Sequence, residues 1–426
     1  MTTPTRLERT LPTILDELAS GPTPEYLDDV FARTAPMRQR PGWTFPERWL
    51  PMADITRSRA LAPAPPWRLL AIALIVIALV AVALLAYAGA QRRVPAPFGP
   101  ARNGFIPYEK GGDIYVGDPV TGESRLVLGG PTEDTAPGFS PDGTLIAFFR
   151  SADAVRVDMY VMDADGGGLR KVTAAPLTDV SSAQFTPESR HILAIHPIAG
   201  KRAFELFDVN GPGKSIDRLA ADIDVSSFAF RPPAGNEILF RGIEHGRLGL
   251  YAMNMDGTNI HSLLVSPTDA GNDNDLANAT YSADGARVFY QAAIESSPEN
   301  ACCQLWVMDA DGRNQHRFPT DVAAKDVWEG EAAVSPDGKW VAFWRVGATG
   351  RVTVLRADGT GDAIATGPDL SGTAGWVWAP DSSKILMVPN DAADSPRHYL
   401  LDPAGGQWST TAWEAPTEPD WQRDAP

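Results

Sequence analysis

Seven carboxylates stand at matched places ahead of a recurring turn phrase, and no other residues in this chain are better placed to do chemistry. Asp134, Asp179, Asp224, Asp275 and Glu329 each fall seven or eight residues before the second residue of such a phrase, of which Ser140-Pro141-Asp142-Gly143 is the type; Asp369 and Glu414 occupy the corresponding loops further on. Carboxylates gathered on one rim hold a hard cation such as calcium, or a basic peptide segment. Loops are polar for reasons of solvation alone, so a plain hydrophilic surface competes with that reading. A second acidic pattern, Asp163-Ala164-Asp165-Gly166 with its counterparts at 254–257 and 309–312, has the alternating oxygens that begin a calcium loop. It lacks the later bidentate Glu, and Asp and Gly at those places suit a hairpin turn with positive φ.

Other catalytic chemistry is absent from the sequence. His191, His196, His245, His261, His316 and His398 are scattered with no metal-ligand spacing, and there is no Gly-x-Ser-x-Gly elbow, phosphate loop or His-Glu-x-x-His. The two cysteines, Cys302 and Cys303, are adjacent. They either form a vicinal disulfide in an oxidising compartment or are small buried residues. The favoured reading is therefore a binding module without enzymatic activity, whose partner is a protein or peptide and whose only suggested cofactor is calcium. A hydrolase or lyase using rim carboxylates and one histidine is the alternative.

The elements that would carry these residues are set by the phrase itself. It returns as Thr186-Pro187-Glu188-Ser189, Arg231-Pro232-Pro233-Ala234, Ser282-Ala283-Asp284-Gly285, Ser335-Pro336-Asp337-Gly338 and Ala379-Pro380-Asp381-Ser382, at intervals of 44 to 53 residues. That period belongs to propeller blades, none of which buries both faces without neighbours. After each phrase comes a hydrophobic strand, as in 145–149 and 340–344, and the aromatic enrichment and punctuating Gly and Asp of each repeat mark antiparallel strands. Second strands recur at Ile114, Met159, Glu205, Leu250, Leu305, Thr353 and Tyr399, so the count predicts an all-β, seven-bladed β-propeller over 104–422. Six blades is the alternative, with the Arg231 unit or the terminal one as decoration. The last phrase, at 419–422, has no strand after it, and the strand at Phe105 has no phrase before it. The two are expected to meet, the N-terminal strand completing the last blade and closing the ring.

The phrase, followed by Ile146-Ala147-Phe148 and Tyr160-Val161-Met162-Asp163, resembles the WD40-like repeats of the TolB family of bacterial propellers. The resemblance covers about 104–422 and implies that fold, together with a role as a protein-interaction platform in the cell envelope. Related repeats also precede hydrolase domains in prolyl-oligopeptidase-like peptidases.

Ahead of the repeats, residues 69–90 run 22 positions without a charge, enough at about 1.5 Å per residue to cross a bilayer core. Trp67 and Tyr87 stand near the ends of this run, with Arg68, Arg92 and Arg93 as stops. The expected order is a short helical module over 1–65, a transmembrane helix over 66–91, a spacer over 92–103, the propeller, and a tail over 423–426. The module reads as helices with Leu7, Leu11, Ile14, Leu15 and Leu18 on one face, then Tyr26, Leu27, Val30 and Phe31. Residues 1–68 carry a net charge of +1 and the remainder −17. A domain that acidic repels nucleic acid. Flanking arginines divide evenly about the span, so the orientation with the module in the cytoplasm and the propeller outside rests on the resemblance. A membrane regulator that signals through the N-terminal module, in the manner of an anti-sigma factor, is a further alternative.

Overall fold

Each Ser-Pro-Asp-Gly phrase forms a turn that joins two antiparallel strands and also latches the neighbouring sheet. In the computed structural model, Ser140 Oγ donates to Asp142 Oδ1 (2.6 Å) and accepts from Leu145 N (3.0 Å), while Asp142 Oδ1 accepts from Thr144 N (3.0 Å). Ser282 with Asp284 and Ser335 with Asp337 repeat this pattern. The phrase therefore needs a hydroxyl, a carboxylate two residues on, and a fourth residue in left-handed backbone. The structure describes residues 33, 67–90, 94–212, 216–220, 222–266, 276–292, 303–318, 327–370, 372–389, 397–415 and 418–424.

Seven antiparallel sheets follow in chain order. Blade 1 is Ile106–Lys110, Asp113–Gly117 and Ser124–Leu128. Blade 2 is Asp134–Phe139, Leu145–Ser151, Arg156–Asp163 and Arg170–Lys171, with Leu177–Thr178 also on the third strand. Blade 3 runs from Ser182–Phe185 to Ile216–Leu219, blade 4 from Asp224–Phe230 to His261–Val265, and blade 5 from Leu276–Tyr281 to His316–Arg317. Blade 6 runs from Trp328–Val334 to Ile364–Leu370, and blade 7 from Thr373–Trp378 to Trp408–Thr410. The Arg231 unit is blade 4 rather than decoration, so the six-bladed alternative fails.

Seven buried clusters, one between each adjacent pair of blades, hold the ring together. Between blades 3 and 4, Leu193, Ile195 and Phe204 pack against Val225, Phe228, Ile238 and Phe240. Phe204 meets the edges of Phe228 and Phe240 at 5.5 and 5.6 Å. Burying each such side chain stabilises the fold by roughly 1.5–3 kcal/mol. The same arrangement joins blades 2 and 3, 4 and 5, 5 and 6, 6 and 7, and 1 and 2. The seventh cluster joins blade 7, through Ala379 and Leu386, to Ile106 and Tyr108 of blade 1.

The turns form a second ring. Asp142 N donates to Ser189 Oγ (3.2 Å), Asp337 N to Ser382 Oγ (3.0 Å) and Asp381 N to Asn103 Oδ1 (3.0 Å), each bond crossing to the next sheet. At two of the phrases whose fourth residue is glycine, the neighbour's backbone takes the space instead. A Cβ on Gly143 (φ 70°) would lie 2.2 Å from the Arg423 carbonyl oxygen, and one on Gly285 (φ 68°) 2.0 Å from that of Pro232.

Closure joins the two ends of the propeller with a polarity opposite to that expected. The N-terminal strand does not complete the last blade, because blade 7 already has four strands. The C-terminal segment instead lies along three-stranded blade 1. Gln422 N donates to Phe105 O (2.9 Å), Gly104 N to Gln422 O (2.9 Å) and Trp421 Nε1 to Gly104 O (3.1 Å). Residues read as spacer and tail also pair: Arg102–Asn103 forms a two-stranded sheet with Arg423–Asp424. Residues 1–90 and 91–426 are two separate compact units.

Trp67–Ala90 is a helix of 24 residues. Side chains are described for Trp67 and 71–82, and all of them are exposed. Among the residues so described, no helix is long and apolar enough to cross a membrane. The amphipathic helices read over 7–18 and 24–31 lie outside the described residues.

Candidate binding site in the central channel

The first strands of blades 2 to 7, together with the closing segment at 418–420, line the channel. Gln184 of blade 3, Phe228 of blade 4, Asn278 of blade 5, Glu331 of blade 6 and Trp376 of blade 7 line one cavity of about 460 Å³. A second cavity, of about 440 Å³, is lined by residues 136–139 of blade 2, 183–185 of blade 3 and 418–420 of the closing segment. In blades 2, 4 and 6 this strand begins at or next to a predicted acidic residue (Asp134, Asp224 and Glu329) and ends at a turn phrase, so the channel has an acidic end and a turn end.

At the acidic end most of the carboxylates are held by arginine. Asp134 is 2% exposed and takes a bidentate pair from Arg150 Nε and Nη2 (2.6 and 2.8 Å). Glu329 is fully buried and accepts from Arg345 Nε and Nη2 (2.9 and 2.6 Å), with Arg317 Nη2 at 3.9 Å. Asp224 accepts from Arg202 N (3.2 Å) and has Arg202 Nε at 3.6 Å. Asp369 lies in the outermost strand of blade 6, and the Arg351 guanidinium (2.7 Å) lowers its carboxyl pKa. Asp179, in left-handed backbone (φ 47°), and Glu414 are exposed; Asp275 lies outside the described residues. Among the described residues no group of three or more His, Cys, Asp or Glu is placed to hold a metal ion. The Asp-Ala-Asp-Gly pattern serves as hairpin turns: Gly166 N donates to Asp163 O (2.8 Å) and Gly167 N to Asp165 Oδ1 (3.0 Å).

Inside the channel stand polar groups that the sequence reading missed. Glu331 sits in a β-bulge with left-handed backbone (φ 55°), and burial raises its carboxyl pKa. Asn278 occupies the same place in blade 5 (φ 46°) and donates to Gln291 Oε1 (3.1 Å). Ser227, Asn278, Glu331 and Gly375 all lie four residues before a turn phrase, and that fixed offset was the available signal. The histidines do not converge with them. His196 Nε2 lies 2.6 Å from Glu205 Oε2, while His261 and His316 bond to the carbonyls of Asn259 and Asn314. The site thus offers carboxyl, amide, hydroxyl and aromatic surfaces, chemistry suited to holding a ligand. Cys303 is buried and disulfide-bonded, the first of the two readings for the cysteines.

The class of protein is therefore a closed seven-bladed β-propeller with a lined axial channel. No protein-family model matches the chain. It is 32% identical over 105 residues to the uncharacterized peptidase YuxL of Bacillus subtilis, a stretch covering 25% of this chain and 14% of that protein. Solved structures of similar fold include an oligogalacturonate lyase from Vibrio parahaemolyticus, at 10% identity over 75% of this chain and 86% of that one, with a TM-score of 0.53. A putative TolB from Agrobacterium tumefaciens is 19% identical, covering 62% and 88% of the respective chains with a TM-score of 0.44. At such identities the likeness concerns the fold.

Proposed function

We propose that the chain is a membrane-anchored propeller that works outside the cytoplasm as a binding module, with a basic peptide segment of another protein as its ligand. The observation that carries this is the channel: inner strands of five blades line one cavity, and carboxylates mark the end where those strands begin. Asp134, Glu329 and Asp369 already bind arginine guanidinium groups within the chain. This favours arginine or lysine side chains over calcium as the ligand of the exposed Asp179 and Glu414. Support for the anchor comes from the helix Trp67–Ala90, which has no polar face, and whose described side chains are all exposed. Such a helix needs an apolar surrounding. Support for the compartment comes from the Cys303 disulfide, a bond that persists in oxidising surroundings.

The test is a thermal-shift series on the full chain in mild detergent, with pentalysine and with calcium chloride. Pentalysine raises the melting temperature under this reading, and less so in Asp179→Asn/Glu414→Gln. No shift with pentalysine overturns the ligand assignment, and a shift with calcium alone replaces it with a cation site.

A further inference from the structure

The turn end of the channel is occupied by the chain itself. Residues 94–101 read Val-Pro-Ala-Pro-Phe-Gly-Pro-Ala; three prolines in six residues leave the segment few backbone donors, and it bends at 97–99 with Gly99 in left-handed backbone (φ 78°). Phe98 lines the 460 Å³ channel cavity and also a cavity of about 210 Å³ at its mouth, beside Phe230, Tyr281 and Pro336. The fit is close on one flank, since a Cβ on Gly235 would come within 3.2 Å of Phe98 Cε2. Three polar bonds pin the segment, all on its main chain: Arg423 Nη2 donates to Ala96 O (3.0 Å) and Gly99 O (2.5 Å), and Ala101 N donates to Pro380 O (2.9 Å). Arg423 belongs to the strand that closes the ring, so the clasp is part of the propeller.

We propose that residues 95–100 are a resident ligand of this mouth, and that the mouth binds proline-flanked aromatic segments of a partner protein, which must displace Phe98 to enter. Its parts are apolar and aromatic surface for the proline and phenylalanine rings, and a donor aimed at main-chain carbonyls on either side of the aromatic residue. The clasp reads the carbonyls of residues 96 and 99, and Gly99 stands in left-handed backbone (φ 78°), so a partner needs the aromatic residue, a glycine after it and the flanking prolines. Because the resident segment is tethered, it competes at an effective concentration of ~mM. A partner therefore binds weakly until the segment is withdrawn, and the mouth is closed by default. This mouth lies at the other end of the channel from the carboxylates, so it goes beyond the basic-peptide reading and is tested with a different probe.

The experiment uses the full chain in mild detergent and a fluorescent peptide of residues 94–101, read by polarisation. Phe98→Ala is expected to bind the peptide at least tenfold more tightly than the wild-type chain. A peptide carrying alanine in place of its phenylalanine is expected to bind that variant at least tenfold more weakly than the intact one. Equal binding by both chains, or no binding by the Phe98→Ala chain, overturns the proposal. Should Phe98→Ala melt well below wild type, Phe98→Leu takes its place, with the same order of affinities expected and the same outcomes contradicting it. A failure here leaves the pentalysine result untouched, and the converse holds.

Discussion

Trp421 bears on ring closure more than any other single residue, and Trp421→Ala tests it quantitatively. The indole is 5% exposed, packs with Ile106, Tyr108, Leu386 and Trp413, and donates Nε1 to the Gly104 carbonyl at 3.1 Å. Truncating a buried tryptophan costs about 3–5 kcal/mol in transfer free energy and cavity formation. Leaving the Gly104 carbonyl without its donor adds ~1 kcal/mol. Against a total stability of about 5–15 kcal/mol, that is a large fraction. The control is Trp408→Ala, on the outermost strand of blade 7, where the side chain is 47% exposed and a loss within ~1 kcal/mol is expected. Urea unfolding followed by circular dichroism, on both variants in the same detergent, gives the difference. If Trp421→Ala falls within 1 kcal/mol of the control, the closing segment does not hold blade 1 to blade 7 and the reasoning fails.

Three further outcomes follow from the same contacts. Arg345→Ala is expected to cost ~3 kcal/mol or more in urea unfolding, because it strips the main partner from fully buried Glu329; a loss below ~1 kcal/mol would show that the pair is dispensable. The Ser282 hydroxyl lowers the Asp284 carboxyl pKa below its ordinary value, so the stability it contributes is present above the ordinary carboxylate range and lost as pH falls through the lowered value. Melting between pH 5 and pH 2.5 should therefore fall less steeply in Asp284→Asn than in wild type. Burial raises the pKa of Asp420, so its contribution is full at low pH and lost as pH rises through the raised value. Asp420→Asn is then expected to gain melting temperature over wild type at pH 7.5 and little at pH 4; equal differences at both would contradict this.

The fold was legible because the turn phrase must satisfy the same hydrogen bonds in each blade. Ser140, Ser282 and Ser335 are needed as donors to the Asp two residues on, and that requirement writes a period into the chain. Departures from the phrase were legible only afterwards. Ser189 and Ser382 replace glycine in left-handed backbone, and each accepts from the preceding sheet's Asp N–H, a role that no local pattern announces. The acidic residues were located by spacing, but their arginine partners were not. Arg150 and Arg345 stand ten residues beyond Ser140 and Ser335, so the pairing emerges only when Asp134 and Arg150 face each other across two strands. Phe98 was hidden because its neighbours come from distant blades and its own surroundings in the chain read as a spacer. Closure was seen as a meeting of ends, but which blade lacked a strand depends on pairing that single-strand patterns do not carry.

The most direct measurement of the central claim, that this propeller is a binding module acting at its acidic rim, is a calorimetric titration of pentalysine into the full chain at low and at high salt. The account predicts saturable binding that weakens as salt rises and falls at least tenfold in Asp179→Asn/Glu414→Gln. Heat that is absent, or unchanged by salt and by both substitutions, would contradict it.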